Sequence, residues 1–178
     1  MTDSIDAGTR VPRGGRVVDE DFRAMMRGFP TGVAVVTALG PDGRARGMTC
    51  SSLCSVSLAP PTLLACLREG SPTLAAVLVR GAFAVNLLHA DARRTAELFA
   101  SGAPDRFDRV AWRAGAAGPH LPAAAHAVAD CAVRSPVPAG DHVVVFGEVY
   151  AVTGYDDRGP LLYGLRRYGS WPRARPGA

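Results

Sequence analysis

The chain has 178 residues, 48% hydrophobic and 20% charged, enough for one domain with its own core and without disulfide or metal staples. Its 20 basic residues exceed its 16 acidic ones for a net charge of +4, and every one of them is arginine, which excludes the lysine of a Walker-type phosphate loop and any Schiff-base lysine. The arginines are scattered without interleaved aromatics, against nucleic-acid binding; no run of about 18 apolar residues suggests a membrane span; and Cys50, Cys54, Cys66 and Cys131 lack the spacing of a metal-ligand set.

Residues 1–17 are aperiodic and read as a flexible arm without the apolar stretch of a secretory leader, so a cytoplasmic protein is expected. The domain is expected over 18–170, with a tail over 171–178. Phe22, Met25 and Met26 at helical spacing predict a helix over 19–27, stopped by Gly28-Phe29-Pro30. A strand over 33–39, the turn Gly40-Pro41-Asp42-Gly43 and a strand over 45–57 predict a hairpin. After Pro60-Pro61 comes a strand over 62–67, then a helix capped by Ser71 with Pro72 at its first position, ended by Gly81. Phe83, Val85 and Leu87 alternate as a strand, and Asp91 is the expected cap of a helix to Ala100. Residues 102–107 read as loop, and 114–126, rich in Ala, Gly and Pro, carry no pattern. Strands follow over 128–135 and 142–153, joined by Pro136–Gly140, with a last one over 161–163. Short strands joined by hairpins, without repeated strand-helix alternation, favour a closed antiparallel barrel decorated by helices.

The segment Gly47–Pro61 crowds hydroxyls into a strand-like pattern. Thr49, Ser51, Ser55 and Ser57 share one parity, so a period of two sets them on one face, where they either hold a polar ligand or meet solvent. No GxGxxG follows a strand, which removes the usual dinucleotide fingerprint.

Five blocks stand in order: Pro30–Thr37; Gly47-Met48-Thr49-Cys50-Ser51-Ser52 running on to Pro60-Pro61; Phe83-Ala84-Val85-Asn86-Leu87-Leu88; Gly140-Asp141-His142 with Gly147-Glu148-Val149; and Arg167-Tyr168. Together, over about residues 20–170, they resemble the flavin reductase family. The resemblance implies a mainly β fold, a six-stranded antiparallel split barrel (the FMN-binding split barrel) with a few flanking helices. It also implies a homodimer that takes hydride from NADH or NADPH, passes it to FMN or FAD, and supplies reduced flavin to a partner monooxygenase. Alternatives are a barrel that retains FMN and reduces another acceptor, or a non-catalytic flavin-binding protein.

The same resemblance assigns Thr49, Cys50, Ser51 and Ser52 to the flavin's ribityl chain, phosphate and ring edge, with backbone N–H groups sharing the work. Leu67, Arg68 and Ser71 continue the phosphate contact, with Arg68 expected to carry the neutralising charge. Asn86 and Phe107 lie beside the flavin, Tyr168 borders the site, and His142 serves the nicotinamide side as the catalytic residue. Each has a plainer alternative: a strand-end cap for His142, an ion pair with Glu69 for Arg68, backbone hydrogen bonding for Asn86 and core anchoring for Phe107. His89, His120 and His126 are read as surface or structural. The chain departs from the family in having Cys50 where a small residue such as Ala is usual, and Leu53 where an aromatic is common.

Overall fold

The computed structural model describes residues 18–155 and 157–171. The expected arm over 1–17, and the expected tail beyond Trp171, lie outside the described residues. Helix α1 (Asp19–Arg27) carries Asp19, Glu20 and Asp21 in its first turn and Arg27 in its last, charges that complement the helix dipole. None of its residues is buried, so its apolar side, Phe22, Met25 and Met26, faces solvent.

After β1 (Thr31–Gly32), strands β2 (Ala34–Leu39) and β3 (Ala45–Cys50) form the expected hairpin. Its turn closes with Gly43 at φ 72° and with Asp42 Oδ1 accepting from the Arg44 N–H at 3.1 Å. The single strand expected over 45–57 is two strands. The chain leaves the sheet at Ser51-Ser52 and resumes as β4 (Leu53–Leu58), which pairs with β5 (Pro61–Arg68) instead of continuing along β2.

Helix α2 (Pro72–Arg80) starts as expected: Ser71 Oγ accepts from the Leu74 N–H at 3.2 Å, and Gly81 closes the helix at φ 67°. Strand β6 (Ala82–Leu88) follows, then α3 (Arg93–Ser101). Asp91 does not cap α3; Ala92 holds that place with no side-chain bond, and the Asp91 carboxylate meets Arg158 at 3.3 Å. Within the unpatterned stretch lie two short strands, β7 (Arg113–Ala114) and β8 (Pro119–His120).

Strands β9 (Ala125–Ala139) and β10 (His142–Gly154) run through the expected linker, turning at Gly140 (φ 65°) and Asp141. Pro136 and Pro138 stay in the strand because β6 pairs with β9 only up to Ala132; beyond it β9 is an edge, where the missing N–H faces no neighbour. The last elements are β11 (Leu161–Gly164) and β12 (Arg167–Ser170), which form a small sheet with β1.

The main sheet has seven strands in the order β3-β2-β6-β9-β10-β5-β4, so the two edges are consecutive in sequence and joined by Ser51-Ser52. A two-residue link cannot cross a flat seven-stranded sheet. The sheet must curl until its edges meet: the Cys50 thiol of β3 points to Cys66 O of β5 at 3.8 Å, while the Cys66 N–H donating to Ser52 O at 3.1 Å carries the β4–β5 ladder up to the link. The architecture is therefore the expected antiparallel barrel with a split. The strand count rises from six to seven because the hydroxyl segment bends.

Strand β2 is buried on both faces: Ala34 and Val36 join Leu67, Phe83, Val85 and Val145 inside the barrel, while Val35, after Val33, meets Leu88, Phe99, Leu121 and Leu161 outside it. Gly147 sits beneath Phe83, where a Cβ would lie 2.5 Å from Phe83 Cζ. Phe83 is fully buried and cannot yield, so Gly147→Ala is expected to cost about 2 kcal/mol through overpacking, measured by urea unfolding with the m-value unchanged. No helix among the described residues is long and apolar enough to cross a membrane.

Candidate active site

Where β3 leaves the sheet, a cleft of ≈ 1010 Å³ opens between β3, the start of α2 and the loop after α3. Thr49 and Ser51 line it from the seam, Ser71, Pro72 and Thr73 from α2, and Arg44 and Arg46 from the β2–β3 turn and β3. The opposite wall is aromatic. Phe107 stands edge-on to Phe99 at 5.0 Å and to Trp112 at 5.9 Å, a T-shaped geometry on both sides that fixes its ring. Gly47 permits this, since a Cβ there would lie 3.1 Å from both Phe107 and Phe99.

Two further cleft residues are charged. Arg106 donates from Nη1 to Ala103 O at 2.8 Å, and Asp108 lies close by in the same loop. Arg46 donates to Asp42 Oδ2 at 2.7 Å from the cleft's outer rim.

A second cavity of ≈ 570 Å³ adjoins the seam from the other side. Arg23, Met26, Arg27 and Phe29 line it from α1 and just beyond, with Leu165 and Arg166 from the β11–β12 turn, and it includes Ser51, Ser52, Cys54 and Cys66. Ser51 is common to both cavities.

The expected site residues divide accordingly. Thr49, Ser51, Ser71 and Phe107 come together in the cleft; Ser52 faces the second cavity. The Thr49 hydroxyl donates to Ala96 O at 2.6 Å, and Ser71 Oγ serves the α2 cap. Ser55 and Ser57 do not share the face of Thr49, because β4 is a separate strand with a bulge between them.

The Cys50 side chain belongs to the core, so any ligand contact at this position falls to its backbone. Its thiol points to Cys66 O at 3.8 Å, and burial pushes its pKa up to about 11, so it is no thiolate. Leu67 is likewise corrected: its side chain is wholly inside the barrel.

Asn86 is corrected from ligand to structural residue. It is fully buried, its Nδ2 donating to Val35 O, Thr37 Oγ1 and Pro119 O at 3.1–3.2 Å and its Oδ1 accepting from the Leu121 N–H at 2.7 Å. Both amide protons are committed within the protein, and the side chain is shut off from either cavity.

Arg68 and His142 face one another in register at the β5–β10 end of the sheet and line neither cavity. His142 Nδ1 meets Asp141 Oδ1 at 2.8 Å, and this bond holds the Asp141 carboxyl below its ordinary pKa. Tyr168 packs on Tyr163 at 5.1 Å beneath the Arg93 guanidinium, also outside both cavities. His120 is structural, as read: it is buried between Asp130 and Tyr155.

Arg44, Arg46, Arg106, Phe99 and Trp112 were not foreseen. They reach the cleft from the β2–β3 turn, β3, α3 and the loop after it, and the one local signal was the adjacency of Arg106 to Phe107.

The donor set fits a flavin nucleotide. Hydroxyls and guanidinium groups suit its phosphate, and a fixed aromatic wall suits its ring system. The family model described as the flavin reductase like domain matches residues 26–172. A flavin reductase (NADPH) of Lentzea aerocolonigenes is 51% identical over 160 residues, covering 89% of this chain and 93% of that protein. In structure, the chain resembles the NADH:FAD oxidoreductase SgcE6 of Streptomyces globisporus C-1027, solved with NAD and FAD fragments, with TM-score 0.80, 34% identity and coverage of 89% and 98%. It also resembles the styrene monooxygenase flavin reductase SMOB of Pseudomonas putida S12, with TM-score 0.78, 32% identity and coverage of 86% and 99%. With the curled seven-stranded barrel and the cleft at its seam, these likenesses carry one conclusion: the chain belongs to the flavin reductase family.

Proposed function

We propose that this protein is an NAD(P)H:flavin oxidoreductase that reduces FMN or FAD and releases the reduced flavin to a partner flavin-dependent monooxygenase. The observation that carries this reading is the cleft itself, where hydroxyls, arginines and an aromatic wall converge in a chain of this family. The nicotinamide supplies hydride and the flavin accepts it, so no side-chain nucleophile is needed and the protein contributes position and electrostatics. Phe107 offers a planar ligand a rigid surface. Ser51 presents its hydroxyl where the two cavities meet, and Ser52 lines the second. That second cavity combines Arg23, Arg27 and Arg166 with Met26, Phe29 and Leu165, cations for a pyrophosphate and apolar area for rings, and it suits the nicotinamide nucleotide.

Oxidation of NADH and of NADPH, followed by absorbance with FMN, FAD or riboflavin added in turn, tests the reading. Turnover that saturates with added flavin is expected. Absence of oxidation with every pair overturns it, and protein that stays yellow through dialysis and turns over another acceptor replaces diffusible flavin with a retained one.

The protein acts as a homodimer. Phe22 and Met25 of α1, which line neither cavity, present apolar area that one protomer leaves exposed. Sedimentation velocity is expected to give twice the chain mass. Its thiols, all four free, fit a reducing cytoplasm.

His142, Arg68 and Tyr168 line neither cavity of the single protomer, and their assigned part in this chemistry is open to direct test. His142→Ala is expected to raise the KM for the nicotinamide at least threefold with the flavin KM within a factor of two. Unchanged values for both assign His142 to the β5–β10 strand end alone.

A further inference from the structure

Arg106 is the residue whose chemistry the fold leaves incomplete. Its Nη1 is bound to Ala103 O, but its Nε is fully buried and is the one buried side-chain nitrogen or oxygen among the described residues without a hydrogen-bond partner. An unmet guanidinium N–H in such a place is costly, and a ligand that brings an acceptor relieves the cost.

The surroundings name the acceptor's charge. Arg46 faces the same cleft, and burial together with the Arg46 charge lowers the Arg106 pKa. Two like charges are thus directed into one space. Asp42 pairs with Arg46 at 2.7 Å from the exposed rim, whereas Asp108 lines the cleft without an ion pair to Arg106 among the described residues, so it is the Arg106 charge that is left without a carboxylate. The acceptor that fits is anionic and oxygen-rich, as a phosphoryl group is, and Arg matches it with parallel N–H groups. Arg68, the cation expected for this task from sequence, lies outside the cleft.

We propose that Arg106, supported by Arg46, binds the phosphoryl group of the flavin nucleotide and gives the protein its preference for FMN over riboflavin. The proposal rests on the flavin reductase reading above and assigns the residues that recognise the phosphate. A 2′-phosphate on NADPH offers the same chemistry, so the test separates the two sources.

Binding of oxidised FMN and of riboflavin is measured by flavin fluorescence for the intact protein, for Arg106→Met, which keeps the apolar stem, and for Arg106→Lys, which keeps charge without Nε. KM values for NADPH and NADH are measured with riboflavin as acceptor. The intact protein is expected to bind FMN at least tenfold more tightly than riboflavin, with the preference shrinking as salt rises. Arg106→Met is expected to weaken FMN at least tenfold and to leave riboflavin within twofold, with Arg106→Lys between the two. Equal losses for FMN and riboflavin overturn the proposal in favour of a packing role. A change confined to NADPH overturns it in favour of the nicotinamide 2′-phosphate. Equal affinity of the intact protein for FMN and riboflavin overturns it while leaving the reductase reading in place, whereas failure to bind either flavin removes both. Thermal melts confirm that each variant is folded, and Arg46→Met, at a partly exposed site, is expected to weaken FMN three- to tenfold should Arg106→Met fail to fold.

Discussion

Asp130→Ala is expected to lower stability by about 3 kcal/mol, because it strips two buried donors of their shared acceptor. Asp130 is buried on β9. Its Oδ1 accepts from the Ala117 N–H at 2.9 Å, and both carboxylate oxygens lie 3.0 Å from His120 Nε2. A carboxylate can only accept, so Nε2 carries the proton, and Nδ1 meets the Tyr155 hydroxyl at 3.0 Å. The Arg113 guanidinium covers the Tyr155 ring at 4.8 Å, completing a clamp that holds the β7–β8 hairpin on the barrel. For a domain of this size the loss corresponds to a Tm lower by about 6–12 °C. Asp130→Asn, which retains an acceptor for Ala117, is expected to lose less than half as much. A calorimetric Tm for Asp130→Ala within about 2 °C of the unaltered protein would show that the clamp bears no weight.

Asn86→Ala is expected to cost a similar amount, about 3 kcal/mol, and to leave the FMN affinity of the folded fraction unchanged. The carboxamide joins three strands to a loop: it donates to Val35 O and Pro119 O, receives the Leu121 N–H, and shares Thr37 Oγ1, which itself donates to Pro119 O at 2.6 Å. Alanine leaves the Leu121 N–H buried without an acceptor. Because Thr37 and Asn86 address the same carbonyl, Thr37→Val and Asn86→Ala should not add. A double-mutant cycle by urea unfolding is expected to give a coupling of about 1 kcal/mol. A loss of FMN affinity matching the loss of stability would return Asn86 to the flavin side.

These two networks mark where the sequence could be read and where it could not. The Gly40–Gly43 turn, the Ser71-Pro72 helix start and the alternation through Phe83 and Val85 each announce themselves within a few residues, since backbone angles, caps and a period of two are local properties. The stretch 114–126 announced nothing, because its function is close approach: a Cβ on Gly118 would lie 2.6 Å from Thr37 O, and one on Gly115 would overlap His120. Small residues selected for proximity to a distant strand have no period. Pro136 and Pro138 misled for a related reason, as a proline's tolerance depends on which neighbour its strand lacks.

The candidate site divides along the same line. The hydroxyls at Thr49 and Ser51 were legible as a polar interruption of an apolar strand, and the ordered blocks around them carried the family. That Asn86 and Cys50 turn inward, that Arg68 and His142 lie beyond the cleft, and that Arg46 and Arg106 enter it were not. By itself the sequence determined most of the longer elements, the first hairpin and the family, because local propensity and pattern travel with the chain. Only the tertiary structure decided which side chains share a space: the curl that brings Cys50 of β3 against Cys66 of β5 sets the direction of the neighbouring side chains, and no local pattern in the chain encodes it.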